Sequence, residues 1–579
     1  MTKEYDKHTA TIGRRQFLAA GSAAGAAMIG GSQAEAQPLH AGDIQFDETR
    51  DMICVGAGAG GLTSALFGKW NGNDVLVLEK ARTPGGTTQK SAFWYWVPNN
   101  TPLRNAGLTD PREDFMRYAA RISYPQSYNA DDPKLGLTDW QFEMIGAVWD
   151  SGSDAADLLD ERGALKYRHL DFAPDYFAEL PENKTPKGRV LYPLEGNDLG
   201  SNGGAAAIAS LLRSCAEEEI EVRTQNRVTT LVFDDAGAVV GVQVETPEGL
   251  RVIGARKAVI FASGGYTHNP VMRQNFLSVP IFGGCAALSN EGDFINIASS
   301  SGAALGNLNY AWFCPIPLEK AVAKDPSISG IFTVTGDSMI FVNKYGHRTL
   351  NEKLQYNELA QQFFRWDGAK AEMPDLVQIM VWDQHAQDNC ASSDFGGLIT
   401  PDGGDDRHVI KGETLEELSA ATEERLAQYA GNTGGISLAE DFTANLKSAI
   451  ERFNGFAAAG KDEDFARGER QVELLFTGPV GEDANPDNPT MHPISENGPY
   501  YAALVVGGTL DTKGGPVTNS HGQVLDTEGT PIVGLYGCGN CVASPTGRAY
   551  WSGGGTLGPL LAFSYRASIQ ANKEPVRQI

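Results

Sequence analysis

A chain of 579 residues is long enough for two domains and a large core, and its 41% hydrophobic and 21% charged content are those of an ordinary globular protein. A formal net charge of −25 argues against nucleic acid as a partner and against docking on anionic lipid by charge alone. Seven scattered cysteines, an odd number, imply no disulfide framework.

Residues 1–36 read as a targeting segment outside the fold. Arg14-Arg15-Gln16-Phe17-Leu18 is a twin-arginine signature, followed by a mild Ala/Gly-rich apolar stretch and an Ala34-Glu35-Ala36 cleavage site. The expected location is the periplasm, free or membrane-associated. No stretch is apolar over the length a transmembrane helix needs, about 18 residues. Residues 51–80 then read as strand, tight turn, helix and strand around Gly56-Ala57-Gly58-Ala59-Gly60-Gly61. Gly56 permits the turn, Gly58 lets a pyrophosphate approach the backbone, and Gly61 lets the helix pack closely, with its N-terminus facing phosphate. Glu79, beside Lys80, ends the second strand where an acid can accept hydrogen bonds from a ribose.

Gly85-Gly86-Thr87-Thr88 follows at once, a second glycine loop of the kind seen in flavoproteins of the glutathione-reductase type; it favours FAD over NAD. An aromatic run, Phe93-Trp94-Tyr95-Trp96, comes next, partly core and partly a wall for a substrate pocket. Helices are expected over 139–162 and 203–219, a turn-rich loop with exposed aromatics over 171–181, and a strand meander over 221–256. Two further glycine-marked strand ends follow, at 257–265 (with Ser263 and Gly264) and at 534–540 (with Gly539 and Asn540). Residues 286–306 read as a loop and a small-residue helix packed beneath the cofactor, and 415–430 and 438–459 as helices. The resulting layout is α/β: a Rossmann-type, glutathione-reductase-like FAD-binding domain at 46–311 and 498–575, with an α+β substrate domain inserted at 312–497. No His/Cys/Asp/Glu cluster has metal-ligand spacing, so no metal is expected. Cys538 and Cys541 have redox-motif spacing but sit where a strand turns, which favours packing over redox work and leaves a disulfide open.

Taken together, these stretches resemble the fumarate-reductase/3-ketosteroid-dehydrogenase superfamily of flavoproteins over nearly all of the chain after residue 36. The resemblance to 3-ketosteroid Δ1-dehydrogenases is carried by GGTT and WVPNN (85–100), PDYFAELP (174–181), EDFARG (463–468), GPYYA (498–502), DTKGGPVT (511–518) and SPTGRAYWSGGGTLGP (544–559). Where fumarate reductases place a proton-delivering arginine after Asn-Glu, here Asn351-Glu352 is followed by Tyr356; the positions of their substrate-clamping His and Arg fall near Val506 and at Ser552. Burying two substrate carboxylates without those cations would be costly, so a neutral ketone is favoured. By the resemblance, Tyr356 is the base, Tyr550 and the Gly554 N–H hold the ketone oxygen, and Tyr176 helps Tyr356. Gly555 and Leu557, in the last glycine run, join the cofactor contacts. The implied reaction removes a proton alpha to the carbonyl and a hydride from the beta carbon, the hydride passing to flavin N5. Each donor to the developing enolate would contribute about 3–4 kcal/mol.

Two departures from the family are expected to add bulk near the flavin: Trp94-Tyr95 ahead of WVPNN, and Trp551-Ser552 after Tyr550. The implied partners are a hydrophobic cyclic ketone, with a steroid among the candidates, and a quinone or small redox protein as electron acceptor. Two other readings stay open: a periplasmic ene-reductase of the fumarate or urocanate type, and a flavin-binding protein without turnover that serves electron transfer or ligand capture.

Overall fold

Alternating and continuous runs of valine, isoleucine and leucine build the central sheet. In the computed structural model, which describes residues 38–196, 202–392 and 394–579, five strands of a nine-stranded sheet lie parallel. In spatial order they are Glu221–Arg223, Val75–Leu78, Glu48–Val55, Gly249–Phe261 and Pro531–Gly537. Met52, Ile53 and Cys54 are fully buried, as are Ala258, Val259 and Ile260 beside them, the pattern of a strand covered on both faces. The helices Ala59–Trp70, Gly203–Glu217 and Leu557–Asn572 cover one face, and the apolar face of Leu557–Asn572 buries Leu561 and Ala567 against Ala65 and Leu66.

Four of these strands end at the same edge; three are followed by glycine or a small residue (Val55 by Gly56, Phe261 by Ala262-Ser263-Gly264, Gly537 by Cys538-Gly539) and the fourth, Leu78, by Glu79. That edge, the carboxyl end of a parallel sheet, is where such folds bind ligands. Val239–Thr246 pairs antiparallel with the N-terminal half of Gly249–Phe261, and Arg227–Phe233 antiparallel with Val239–Thr246, which makes the expected meander.

A second sheet is antiparallel, in the order Ala311–Pro317, Tyr500–Thr512, Val377–Asp383, Met339–Val342, with Ile410–Gly412 added beside Tyr500–Thr512. Its long strand Tyr500–Thr512 carries the chain from this sheet back to the first. The helices Leu415–Gln428 and Phe442–Ala459 pack beside it, as their periodicity predicts. The twin-arginine signature and the 1–36 segment lie outside the described residues. No described helix is long and apolar enough to cross a membrane. All seven cysteines are buried and free, so Cys538 and Cys541 form no disulfide. The Cys541 thiol donates to the Cys538 carbonyl oxygen at 3.2 Å, and burial pushes its pKa up to about 11, which leaves it an unreactive thiol.

Candidate functional site

Two cavities meet at the edge of the parallel sheet. The first is lined by Gly56, Gly58 and Gly60 from the turn, Glu79 and Lys80 from the next strand end, and Gly86, Thr87 and Thr88 from the following loop. Ser263, Gly264, Gly539 and Asn540 complete it. The turn needs its glycines. Gly56 has φ +103°, and a Cβ there would stand 2.6 Å from the Ala262 carbonyl oxygen; a Cβ on Gly61 would stand 1.7 Å from the Gly56 carbonyl oxygen. Gly61 therefore works behind the cavity, as a close packing point, and Gly85 is likewise set back, its N–H donating to the Ala57 carbonyl at 2.9 Å. Gly555 lines neither cavity, and Leu557 lines the second.

Glu79 is fixed before any ligand arrives. The Ala57 and Ala81 amides donate to its two oxygens, each at 2.8 Å. Lys80 is engaged with Asp293 at 2.9 Å and Glu291 at 3.2 Å. Thr88 Oγ1 accepts from the Ala59 amide at 3.2 Å, and Thr87 Oγ1 from the Ala287 amide at 3.0 Å. Ser263 Oγ is buried with no hydrogen-bond partner in the protein. An orphaned hydroxyl, a helix beginning at Ala59 with its N-terminal amides toward the cavity, and a carboxylate held in place fit a dinucleotide with its pyrophosphate on the turn.

Asp511, the first residue of the DTKGGPVT stretch, was not among the expected site residues, yet it organises this region. Fully buried, it accepts from the Gly265 amide (3.0 Å), Thr267 (2.9 Å), Asn290 (2.7 Å) and Asn540 (3.2 Å). Burial raises its pKa against the pull of those donors. It lies on both cavities together with Thr87, Thr88 and Asn540.

The second cavity, about 470 Å³, is in the size range of small-molecule sites. Three tyrosines line one side. Tyr176 O–H donates to the Tyr356 hydroxyl oxygen at 2.7 Å, across 180 residues of sequence. The Tyr550 ring lies edge-on to Tyr356 at 5.1 Å and tilted to Tyr176 at 5.7 Å. Gly554 lines the cavity beside them; with φ +82° and a would-be Cβ 2.5 Å from the backbone of Trp94, no other residue fits.

Each tyrosine is placed by local chemistry. Tyr356 opens the helix Tyr356–Gln362, capped by the Gln355 side chain. The preceding Asn351-Glu352 is an anchor: buried Glu352 pairs with Arg348 at 2.7 Å and with Arg467 of EDFARG at 3.3 Å, and Asn351 donates to Glu473 at 3.0 Å. Tyr176 follows Asp175, which is locked to buried Arg189. Tyr550 follows Ala549, whose carbonyl accepts from buried Lys513 at 2.8 Å; Lys513 also lies 4.1 Å over the Trp312 ring. Burial first, and then Tyr176 and Tyr550, hold the Tyr356 hydroxyl well above the ordinary tyrosine range. Burial also raises Tyr550, which the Tyr356 and Thr556 hydroxyls partly offset.

The rest of the lining is mostly apolar: Trp94, Trp312, Phe332, Phe395, Phe476 and Leu510. No arginine or histidine is among the lining residues; the one lysine is Lys90, whose ammonium donates to the Cys285 carbonyl at 2.8 Å. Val506 and Ser552 are buried and do not line the cavity. Of the two expected sources of bulk, Trp94 is on the cavity but Trp551 is not. Its indole N–H donates to Ser123 at 2.7 Å and its ring packs on Trp96 and Phe115, because this aromatic cluster offers an acceptor and an apolar slot away from the ligand side. The 171–181 loop also differs from expectation: Phe172 is exposed, but Tyr176 turns inward.

The FAD binding domain family matches residues 51–557. This chain belongs to that flavoprotein family. FAD is its cofactor, and the glycine-lined cavity above holds the residues that fit it. Among curated proteins the flavoprotein is similar to the 3-oxosteroid 1-dehydrogenase of Mycolicibacterium smegmatis, 30% identical over 577 residues, covering 90% of this chain and 96% of that one. It is also 29% identical over 572 residues to the 4-oxocyclohexanecarboxylate 2-dehydrogenase of Sinomonas cyclohexanicum, covering 90% and 92%. Its fold is that of the 3-ketosteroid Δ1-dehydrogenase of Sterolibacterium denitrificans, solved with 1,4-androstadiene-3,17-dione, with TM-score 0.77 and 24% identity over 90% of this chain and 99% of the other.

Proposed function

We propose that this flavoprotein dehydrogenates a carbon–carbon bond next to the carbonyl of a cyclic ketone. The observation that carries the reading is the tyrosine trio on a mostly apolar cavity that opens onto the FAD site. FAD, when bound, supplies the hydride acceptor. The chain's own residues handle the proton and the oxygen. Tyr356 takes the proton alpha to the carbonyl, and Tyr176, already donating to its oxygen, steadies the phenolate as it forms. The Tyr550 hydroxyl and the Gly554 N–H receive the negative charge that builds on the ketone oxygen, a stabilisation present only as the enolate develops. The apolar walls keep water from that charge. An ene-reductase acting on dicarboxylates is disfavoured by the same lining, which offers no pair of cations.

Both named relatives act on ring ketones, one a steroid and one a small ring bearing a carboxylate. Lys90 supports the second class, because its ammonium stands on the cavity where a substrate carboxylate could displace the Cys285 carbonyl. The test is an anaerobic screen of the bound flavin. A 3-ketosteroid, 4-oxocyclohexanecarboxylate and uncharged cyclohexanones are each mixed with oxidised enzyme, and loss of the flavin absorption is followed. At least one ring ketone is expected to bleach it within the mixing time, and the carboxylated ring decides the role of Lys90. Bleaching by none, with reduced enzyme reoxidised by enoates instead, would replace this reading with the ene-reductase.

The electron acceptor we assign is a quinone or small redox protein, and the location the periplasm; the twin-arginine signature Arg14-Arg15 supports the latter, since that route carries folded, cofactor-loaded proteins. Replacing both arginines by lysine is expected to move the enzyme from the periplasmic to the cytoplasmic fraction. An unchanged distribution would sink the assignment.

A further inference from the structure

Away from the tyrosine cavity, three metal-ligand side chains with no short spacing in the sequence come together. His385 sits on the helix Gln384–Asn389. Asp483 and His492 belong to the segment 476–499, which contains no helix or strand. One ligand atom from each of the three lies within 4.8 Å of the others.

The distances are informative. Asp483 carboxylate oxygens stand 3.5 Å from His492 Nε2 and 3.9 Å from His385 Nε2. These are too long for good hydrogen bonds. They are close to the ~3.4 Å edge of a tetrahedron built on metal–ligand bonds of ~2.0–2.1 Å. His492 Nδ1 lies 3.0 Å from the Pro493 carbonyl oxygen, so Nδ1 carries the proton and Nε2 presents a lone pair. A lone pair facing a carboxylate is repulsive without a cation between them.

His385 Nε2 is buried and has no hydrogen-bond partner; Asp337 Oδ1 lies 3.5 Å from it. Asp337 is fully buried, and its second oxygen is also unpartnered. On the far side of the ring, His385 Nδ1 faces Asn389 Nδ2 at 3.5 Å, the limit of a hydrogen bond, which leaves the tautomer free to follow a ligand. The two imidazoles stack at 3.9 Å, 6° from parallel, so their lone pairs run side by side and one ring has to turn for both to bind the same ion. Gly481 lets the segment close over them, since a Cβ there would stand 2.6 Å from Asp483 Oδ1 and 3.2 Å from His385 Cε1.

We propose that His385, Asp483 and His492 bind one divalent transition-metal ion of the zinc class, with Asp337 behind the His385 ring. Two imidazoles and a carboxylate suit zinc; calcium and magnesium take oxygen ligands. The ion would pin a long segment that has no secondary structure of its own, a kind of loop that is uncommon in compact chains. That segment starts at Phe476, whose ring packs on Tyr176 at 5.8 Å, so the clip stiffens one wall of the substrate cavity. The proposal departs from the expectation of no metal, which rested on spacing along the chain.

The experiment uses the FAD-loaded enzyme, stripped with a chelator, dialysed, and equilibrated with zinc chloride alone. Bound zinc is counted by elemental mass spectrometry across a series of free zinc concentrations, and the thermal midpoint is read with and without zinc. One zinc per chain and a raised midpoint are expected for the wild type. Asp483→Ala and His492→Ala, both at partly exposed side chains, are expected to keep their flavin, bind zinc at least tenfold more weakly and lose the midpoint rise. Zinc held equally well by the wild type and both variants, or by none of them, would overturn the proposal and leave a histidine stack beside carboxylates. Asp483→Asn, the mildest change at the most exposed of the three, repeats the comparison should His492→Ala lose flavin.

Discussion

Replacing Tyr356 with phenylalanine is expected to lower turnover by about 10³-fold, within the ~10²–10⁴ range of a positioned general base, with the flavin still bound. That loss corresponds to about 4 kcal/mol of transition-state stabilisation. The substitution removes one oxygen and keeps the ring, which packs on Phe332 at 4.8 Å and edge-on to Tyr550 at 5.1 Å. Tyr356 does not line the glycine-rich FAD cavity, so flavin content and substrate affinity should hold while kcat falls. The Tyr176 hydroxyl loses its acceptor, a cost to stability of about 1–3 kcal/mol. Because burial and two neighbouring phenols raise the Tyr356 pKa, the neutral phenol persists above the pH at which a free tyrosine ionises, about 10. The active tyrosinate is then a minor form whose fraction grows with pH. On this basis kcat/KM should climb about tenfold per pH unit through the neutral range. The tyrosinate difference spectrum, wild type minus Tyr356→Phe, should stay flat to about pH 10. Unimpaired turnover in the variant would remove Tyr356 from the mechanism.

The cofactor half of the site was readable because its signals are local. A glycine turn, a strand-ending acid and a second glycine loop each occupy a few consecutive residues, and the backbone geometry they permit is a property of those residues alone. Even so, the split between residues on the cavity (Gly56, Gly58, Gly60) and residues behind it (Gly61, Gly85) depends on carbonyls that the turn itself brings close. The tyrosine trio is different in kind. Nothing in the composition joins Tyr176 to Tyr356 over 180 residues; family motifs picked them out, and the fold brings them into contact. The role of Asp511 was hidden for the same reason, because the four donors named above arrive from three separate segments, at 265–267, 290 and 540. Trp551 shows the limit of reading bulk from a sequence: a large side chain next to a site residue turned to a hydrogen-bond acceptor on the far side. The histidine–aspartate cluster was invisible to any spacing rule, since its members come from a helix after one strand and a long loop before another.

Substituting Arg189 with methionine is expected to destabilise the protein by about 3–5 kcal/mol, the cost of breaking a buried ion pair from one side. Arg189 is fully buried and forks onto Asp110 with two bonds of 2.7 Å, while its third nitrogen reaches Asp175. The guanidinium also lies 5.1 Å over the Trp96 ring. Removing it leaves two carboxylates in a dry interior with one indole N–H, from Trp96 to Asp175 at 2.7 Å, and backbone amides as their remaining partners. The Arg189→Lys variant should fall between, because an ammonium offers one point of charge where the site is shaped for a planar fork. Denaturant unfolding at saturating FAD measures both. Lys134→Met, at an exposed pair with Asp139, serves as the control that should leave the midpoint unchanged. The effect also has a catalytic side. Asp175 precedes Tyr176, so a loosened arginine frees the backbone that aims the Tyr176 hydroxyl at Tyr356. In the fraction that remains folded, Arg189→Lys should lower kcat while KM stays near its original value. A variant as stable as the wild type would mean that water or protons neutralise Asp110 and Asp175 without the arginine; Tyr176 would then owe its position to the aromatic cluster alone.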